Sequence, residues 1–237
     1  MPTAISNDGF CSPLASLMVN GKKRTLKTGL PQGIVIDTKI LAKAPIKFFY
    51  SGIGDLLSKF TALNDWKFAF RQSGEYVDDF AVALSPNSLE AFLNYPDKTP
   101  QDSECLRILS NSLLLSGIAM EVVGSSRPAS GSEHLISHAY DQISSQPSMH
   151  GLQVGIATYA ISFLQNKEFE NVRKAILETG FFDFNKKYPL NKTEFIEAIK
   201  LAPKIKENFT TILSETGQIE KLIDFVQKDE LMQQLLA

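Results

Sequence analysis

The stretch GSSRPASGSEHLISHAYDQISSQPSMHGLQVG, residues 124–155, contains all three histidines of the 237-residue chain, His134, His138 and His150. Histidines kept only for packing would be expected to spread more widely along a sequence. A cluster this tight favours a use of the ring nitrogens, as metal ligands or as proton carriers. A histidine pair four residues apart is more often a surface or core feature, so the residues alone leave both alternatives open.

The first part of this stretch predicts a helix. Ser130, followed three residues later by Glu133, forms a capping-box pattern that indicates a helix start. On such a helix His134 and His138 lie one turn apart on the same face. Spacing alone would therefore pair these two histidines as ligands of one site.

The second part predicts another helix with a histidine near its start. Pro147 indicates a loop, and Ser148 is a suitable N-cap for a helix over residues 149–164, with His150 in its first turn. The positive end of a helix dipole disfavours imidazolium and attracts anions. The rings should therefore be neutral, which is the form that binds a metal. Because the dipoles also oppose a bound cation, we expect an acidic ligand to complete any metal site.

Composition limits the classes of function. Hydrophobic residues make up 43% and charged residues 21% of the chain, which is typical of a soluble globular protein. The net charge of −2 implies no general attraction to nucleic acid. The apolar stretch at residues 113–123 is too short to cross a bilayer, and Met1 leads into a polar segment, unlike a signal peptide. Cys11 and Cys105 are too few for a disulfide framework. These features predict a cytoplasmic protein without membrane insertion.

The N-terminal segment predicts a little β-structure. Two strand-like runs, residues 15–19 and 22–26, flank the pair Asn20-Gly21, which strongly indicates a type I′ hairpin. Residues 33–37, GIVID, predict one more short strand. From Ile40 onward the pattern is almost wholly helical, so the predicted fold class is mainly α.

The helical part contains several start signals. Residues 54–71 predict one long helix with Asp55 in its first turn, where a carboxylate complements the helix dipole. Thr99-Pro100 predicts an N-cap followed by proline at the first position of a helix that ends near Val123.

The C-terminal region predicts two further helices. Asn191 with Glu194 indicates the start of a helix that ends near Leu201. The tail carries apolar residues at helical spacing, namely Ile219, Leu222, Ile223 and Val226. Packing explains these stripes, and they say nothing about chemistry.

The motif GSSRPASGSEHxISH followed by HGxQVGIAT resembles the sn-glycerol-1-phosphate dehydrogenases of the iron-containing alcohol dehydrogenase and dehydroquinate synthase-like superfamily. Two more stretches fit the same family in the same order: PTAISNDGFCSP at residues 2–13 and SGIGDLLSKFTALNDWK at residues 51–67. The resemblance implies a multi-helical dehydroquinate synthase-like C-terminal domain in residues 43–237. Residues 1–42, with the hairpin and the short strand, would be a small β remnant of the N-terminal nucleotide-binding α/β domain.

The resemblance also implies one divalent metal, held by Asp55, His134 and His150. These ligand types suit zinc, nickel and ferrous iron, and the resemblance favours zinc or nickel. Three ligands leave an open position, as a catalytic metal needs. In the family the histidine that corresponds to His138 contacts the substrate, so His138 is assigned to substrate binding and proton relay. With Asp55 it forms the implied catalytic pair.

The implied reaction is hydride transfer between NAD or NADP and dihydroxyacetone phosphate, which gives sn-glycerol 1-phosphate. Asp8, with Asp55 and His138, matches family positions that contact this small phosphorylated three-carbon substrate, and a homo-oligomer is compatible with the family. The positions that match cofactor contacts are Thr3, Ala4, Ile5, Ser6 and Ser12.

The substrate phosphate needs a cationic or N–H-lined seat. The predicted helix start at residues 130–132, together with Arg127, is one candidate. A structural salt bridge explains Arg127 equally well, so both alternatives stay open.

The sequence contains no G-x-G-x-x-G motif, because Gly52-Ile53-Gly54 lacks the third glycine and the βαβ context. In the family the motif at residues 2–13 follows a complete nucleotide-binding half. We therefore expect the chain to lack that half and to be inactive or incomplete as an enzyme by itself. Two alternatives are a glycerol (polyol) dehydrogenase of the same superfamily, against which SSRPASGSEH argues, and a catalytically incomplete helical module for metal binding or oligomerisation.

Overall fold

The computed structural model describes residues 1–19 and 22–237. A short 3-10 turn at Asp8–Phe10 precedes two antiparallel strands, β1 (Leu14–Val19) and β2 (Lys22–Lys27). Their register pairs the two ends of the ladder, Leu14 with Lys27 and Val19 with Lys22. The predicted strand pair is thus confirmed, whereas its Asn20-Gly21 turn lies outside the described residues.

The rest of the chain is helical, which confirms the mainly α class. The helices are α1 (Thr38–Leu41), α2 (Ile46–Leu57), α3 (Lys59–Ser73), α4 (Asp79–Leu93), α5 (Ser103–Val123), α6 (Ser132–Ile143), α7 (His150–Gln165), α8 (Phe169–Glu178), α9 (Phe181–Asn185), α10 (Lys192–Leu201), α11 (Gln218–Lys228) and α12 (Glu230–Leu235). Short 3-10 turns occupy Ala202–Lys204 and Ile212–Ser214.

The core is built around α7, which is buried along most of its length. It packs most extensively against α2, and α3, α6, α8 and α11 surround the pair. A smaller apolar cluster joins α3, α4 and α5 through the buried side chains Leu63, Trp66, Ala81 and Ala119.

Glycines allow α2 and α7 to approach each other closely. A Cβ atom placed on Gly54 would lie 2.0 Å from the backbone oxygen of Gly151. One placed on Gly155 would lie 2.8 Å from the Cα of Gly54 and 2.3 Å from the ring of Phe181. No side chain fits such gaps, so these positions need glycine if the helices are to stay in contact. The contact brings the next residue of α2, Asp55, to the first turn of α7.

The long helix predicted over residues 54–71 is wrong, because the chain breaks at Ser58 between α2 and α3. The Ser58 hydroxyl lies 2.7 Å from the carbonyl oxygen of Asp55, and the Lys59 ammonium donates to the same oxygen at 3.2 Å. Side chains therefore take the place of the helical N–H partner at that carbonyl. Asp55 lies in the last turn of α2 and does not complement a helix N-terminus.

The strand predicted at residues 33–37 is also wrong. These residues are irregular, and Val35 exposes 66% of its surface. An isolated extended run has no ladder partner for its backbone groups, so alternating apolar residues do not make a strand here. The run ends at Asp37, which caps α1 by accepting from the backbone N–H of Lys39.

Two helix starts differ from the sequence pattern. Helix α5 begins at Ser103 because Asp102 accepts from the Glu104 N–H at 2.8 Å, and Thr99-Pro100 lies in the preceding turn. Helix α7 begins at His150, one residue later than predicted, and no side chain caps it.

The capping box predicted from Ser130 is replaced by tertiary contacts. Gly131 is the N-cap of α6, and its N–H donates to Glu133 Oε1 at 2.6 Å. The next N–H, that of Ser132, donates to Asp65 Oδ2 of α3, also at 2.6 Å. The Asp65 carboxylate of α3 therefore accepts from an N–H group at the start of α6, a role that the sequence pattern assigned to Ser130.

Local signals near the C-terminus are confirmed. Asn191 caps α10 by accepting from the Glu194 N–H at 2.9 Å. Helix α11 buries Leu222 and Val226, as its apolar spacing predicted.

Helix α5 is long and apolar enough to cross a bilayer by length and composition, which the shorter stretch considered in the sequence did not show. Half of its most apolar window is buried within the protein, and it packs against α4. This burial is typical of a core helix.

Ile5 and Leu41 join the main apolar cluster with the later helices. The division into residues 1–42 and 43–237 stays a prediction.

We predict that Gly54→Ala lowers the free energy of unfolding by about 1–3 kcal/mol or more, because the new methyl group overpacks the α2–α7 contact. Chemical denaturation measures the change. Gly33→Ala is the matched control, since a Cβ at Gly33 meets nothing within 4 Å. Equal stability of the two variants would show that the helices can separate at little cost.

Candidate metal centre

Asp55 lies at the centre of the site, with only 1% of its surface exposed. Its Oδ2 atom accepts a hydrogen bond from the backbone N–H of Asp8 at 3.0 Å. Its Oδ1 atom is buried and has no hydrogen-bond partner. A buried carboxylate oxygen without a partner is costly, so this atom needs a cation or a donor.

Two histidines face that oxygen. His134 Nε2 lies 3.6 Å and His150 Nε2 lies 3.8 Å from Asp55 Oδ1. One ligand atom from each of the three residues falls within 4.8 Å of the others. One oxygen and two imidazole nitrogens suit zinc and similar divalent ions. The residues present therefore fit a divalent cation at this point.

The Nδ1 atom of each of these two rings contacts a neighbouring side chain. His134 Nδ1 lies 2.9 Å from Oε1 of the fully buried Glu133, whose Oε2 accepts from Thr61 Oγ1 at 2.7 Å. His150 Nδ1 lies 2.9 Å from the Ser137 hydroxyl. Such outer contacts fix ring orientation and leave Nε2 for a ligand. The sequence pattern did not identify Glu133 in this role, although it directly precedes His134.

The charged groups of the site shift one another's pKa values. Burial lowers the pKa of His134, but the neighbouring carboxylates of Asp55 and Glu133 outweigh it and raise the pKa to about 9. The neutral rings expected for metal binding stay a prediction. Burial raises the pKa of Asp55, yet Lys59 and the histidines hold it well below its usual range.

Asp8 reaches the site from the N-terminal segment. Its Oδ2 atom accepts from Ser116 Oγ of α5 at 2.7 Å and lies 3.4 Å from the ammonium of Lys59. Burial and the neighbouring Asp55 raise the pKa of Asp8, while Lys59 opposes the rise. Sequence reasoning missed Lys59, although its four-residue spacing from Asp55 would place both on one side of a continuous helix.

His138 lies beside the three converging residues. Its ring stacks on that of His150 with centroids 5.4 Å apart, while the rings of His134 and His138 are 6.3 Å apart. His138 and His150 also form a second group with Asp141, with ligand atoms within 4.8 Å. His150 therefore belongs to both groups.

Of the five residues assigned to cofactor binding, Ile5 and Ser6 lie against α2. Ile5 is buried, and its carbonyl oxygen is so near α2 that a Cβ on Gly52 would lie 2.1 Å away. The Ser6 carbonyl accepts from Ser51 Oγ at 2.8 Å, and Ser12 Oγ accepts from the Leu14 N–H at 3.1 Å. Thr3 and Ala4 precede these anchored positions.

Arg127 is a structural residue. It is 1% exposed, its Nε donates to Glu75 at 2.6 Å, and its Nη1 donates to the Thr210 carbonyl at 2.9 Å. Its guanidinium lies 3.6 Å from the ring centroid of Phe209. The N–H groups of residues 131 and 132 are also occupied by carboxylates. The salt-bridge alternative is therefore favoured over a phosphate seat at this helix start.

The sequence matches known proteins along most of its length. Residues 1–45 match the model of the iron-containing alcohol dehydrogenase family. The glycerol-1-phosphate dehydrogenase [NAD(P)+] of Methanosarcina acetivorans is 36% identical over 90% of this chain and 60% of its own length. That of Hyperthermus butylicus is 36% identical over 92% of this chain and 62% of its own length. The chain thus spans about three fifths of the length of these curated relatives.

The fold has a close counterpart among solved structures. The glycerol dehydrogenase of Schizosaccharomyces pombe superposes with a TM-score of 0.70 at 19% identity, over 99% of this chain and 63% of that one. At this identity the likeness establishes the fold alone. The chain is therefore similar in sequence to the glycerol-1-phosphate dehydrogenases over about three fifths of their length, and it has the helical fold seen in glycerol dehydrogenase.

Proposed function

We propose that this chain is the metal- and substrate-binding part of a metal-dependent, NAD(P)-linked oxidoreductase that interconverts dihydroxyacetone phosphate and sn-glycerol 1-phosphate. The observation that carries the proposal is the buried Asp55 Oδ1, which accepts no hydrogen bond and is faced by His134 Nε2 and His150 Nε2. The sequence relatives named above support the choice of substrate and of cofactor. Zinc or nickel is the proposed metal, ahead of iron.

Three residues would hold the metal: Asp55 through Oδ1 and the two histidines through Nε2. When bound, the cation would polarise the substrate carbonyl as a Lewis acid, and the nicotinamide would supply the hydride. Glu133 and Ser137 keep the two rings turned toward Asp55.

The remaining roles concern the substrate. Asp8 is held by Ser116 and Lys59 at the rim of the site, where it would accept hydrogen bonds from substrate hydroxyl groups. His138, half-buried beside His150, would exchange a proton with the reacting substrate oxygen. Thr3, Ala4, Ile5, Ser6 and Ser12 would border the nicotinamide end of the cofactor.

The pyrophosphate of such a cofactor normally rests on a glycine-rich turn and a helix N-terminus. The sequence contains no G-x-G-x-x-G motif. We therefore propose that this chain by itself is inactive or incomplete as a dehydrogenase. A glycerol dehydrogenase activity is the alternative, and comparing turnover of glycerol with that of glycerol 1-phosphate in a complete enzyme would separate the two.

We predict that the chain binds one divalent cation and that His150→Ala abolishes stoichiometric binding, because one of three ligands is lost. His138→Ala is the matched control and should retain the metal. Elemental analysis after dialysis measures both. Unchanged metal content in His150→Ala, or loss in His138→Ala, would contradict the proposed ligand set.

We predict that Glu133→Ala weakens Zn²⁺ binding by about 10–100-fold, since the carboxylate that orients His134 is removed. Competition with a chromophoric chelator measures the affinity. Glu170→Ala changes the charge equally at a side chain that is 79% exposed, and should leave the affinity as it is. Equal affinities of the two variants would show that His134 needs no such support.

We predict that calorimetric titration of NADH or NADPH into the chain shows no micromolar binding, and that the chain does not reduce dihydroxyacetone phosphate at an ordinary rate. Without a firm hold on the cofactor, the alignment of hydride donor and carbonyl is lost, an effect worth up to ~7–11 kcal/mol in favourable cases. Micromolar binding together with turnover would sink the proposal that the chain is incomplete.

A further inference from the structure

Lys59 is a fully buried cation that the proposed chemistry does not require as a ligand. Its side chain is 0% exposed, at the first position of α3. Its ammonium lies 3.2 Å from the carbonyl oxygen of Asp55, 3.3 Å from Ser58 Oγ and 3.4 Å from Asp8 Oδ2. Lysine is almost never fully buried unless it is paired, so its partners explain why it lies here.

Two of these partners belong to a pair of aspartates, the buried Asp55 and the half-buried Asp8. Asp55 and Asp8 are joined by the hydrogen bond from the Asp8 N–H to Asp55 Oδ2. Neighbouring carboxylates inside a protein repel each other, and removing a cation that faces them is destabilising. A permanent positive charge at residue 59 therefore balances the pair when no metal is bound.

The same charge opposes a metal. A divalent cation at Asp55 Oδ1 would enter a region that already contains the Lys59 ammonium, and like charges at short range in a protein interior repel strongly. Lysine at this position thus stabilises the metal-free site and weakens metal binding relative to a neutral residue of the same size.

We propose that Lys59 is the built-in counter-cation of the Asp8–Asp55 pair, which keeps the metal-free site assembled and makes the bound metal exchangeable. The inference rests on the proposed metal site at Asp55, His134 and His150. It assigns Lys59 a positioning and charge-balancing role and no contact with the metal itself.

The test uses the 237-residue chain and its Lys59→Met variant, which removes the charge and keeps a long flexible side chain. Zn²⁺ affinity is measured by chelator competition, and thermal unfolding is followed with and without Zn²⁺. We expect the variant to bind Zn²⁺ about tenfold tighter or more. The Tm of the metal-free variant should be lower than that of the metal-free wild type. The increase in Tm on adding Zn²⁺ should be larger in the variant than in the wild type.

Ser116→Ala is the matched control, because it removes a hydrogen bond to Asp8 without changing the charge. It should keep the wild-type Zn²⁺ affinity. Tighter binding in both variants would mean that loosening Asp8, and not removing the charge, is responsible, and this would overturn the proposal. A Lys59→Met variant that binds Zn²⁺ no tighter than the wild type would overturn it as well.

Two further outcomes are distinguishable. A wild-type chain that takes up no Zn²⁺ overturns the metal site, whereas unchanged affinity in Lys59→Met overturns only the role of the lysine. A Lys59→Met chain that is unfolded alone and regains its helical circular dichroism with Zn²⁺ supports the proposal. If Lys59→Met folds under neither condition, Lys59→Gln, which retains a hydrogen-bond donor, is titrated with Zn²⁺ instead. Tighter binding than in the wild type then supports the proposal, and equal binding overturns it.

Discussion

The close contact between α2 and α7 is the constraint on which the rest of the site depends. Gly54 and Gly155 let the two helices approach until backbone touches backbone. Asp55 follows the first glycine and His150 lies in the facing turn, so their separation is fixed by helix packing and not by flexible loops. A site built on packed helices keeps its geometry without help from a ligand.

Buried charge is concentrated where these helices meet. Lys59, Asp55, His134 and Glu133 are each less than a tenth exposed. Lys59 forms an ion pair with Asp8, and His134 lies between the carboxylates of Asp55 and Glu133. Apolar residues of similar volume would stabilise a core at least as well as such a network. Retention of these charges at a helix junction is therefore more simply explained by binding and chemistry than by stability.

The sequence predicted features that depend on local signals. The Asn191 cap and the apolar face of α11 need only neighbouring residues, and both are present in the structure. The break at Ser58 was not predictable in this way, because Ser58 and Lys59 side chains compete for the Asp55 carbonyl in a buried setting. The three histidines that cluster in the sequence also lie together in the structure, but spacing could not show that His150, and not His138, faces Asp55 with His134.

The contrast between the metal centre and the cofactor positions follows from where their partners lie. The three residues that converge on one point come from α2, α6 and α7, whose contacts with one another lie entirely within this chain. Within residues 3–12, Ile5 and Ser6 instead lie against α2, and Asp8 and Cys11 contact α5. A dinucleotide extends far beyond its nicotinamide ring, so under the proposed function this segment would lie near the site of hydride transfer and would contact only a fraction of the cofactor. Positioning of the substrate and retention of the cofactor would then be separate tasks, and the described residues would supply chiefly the first.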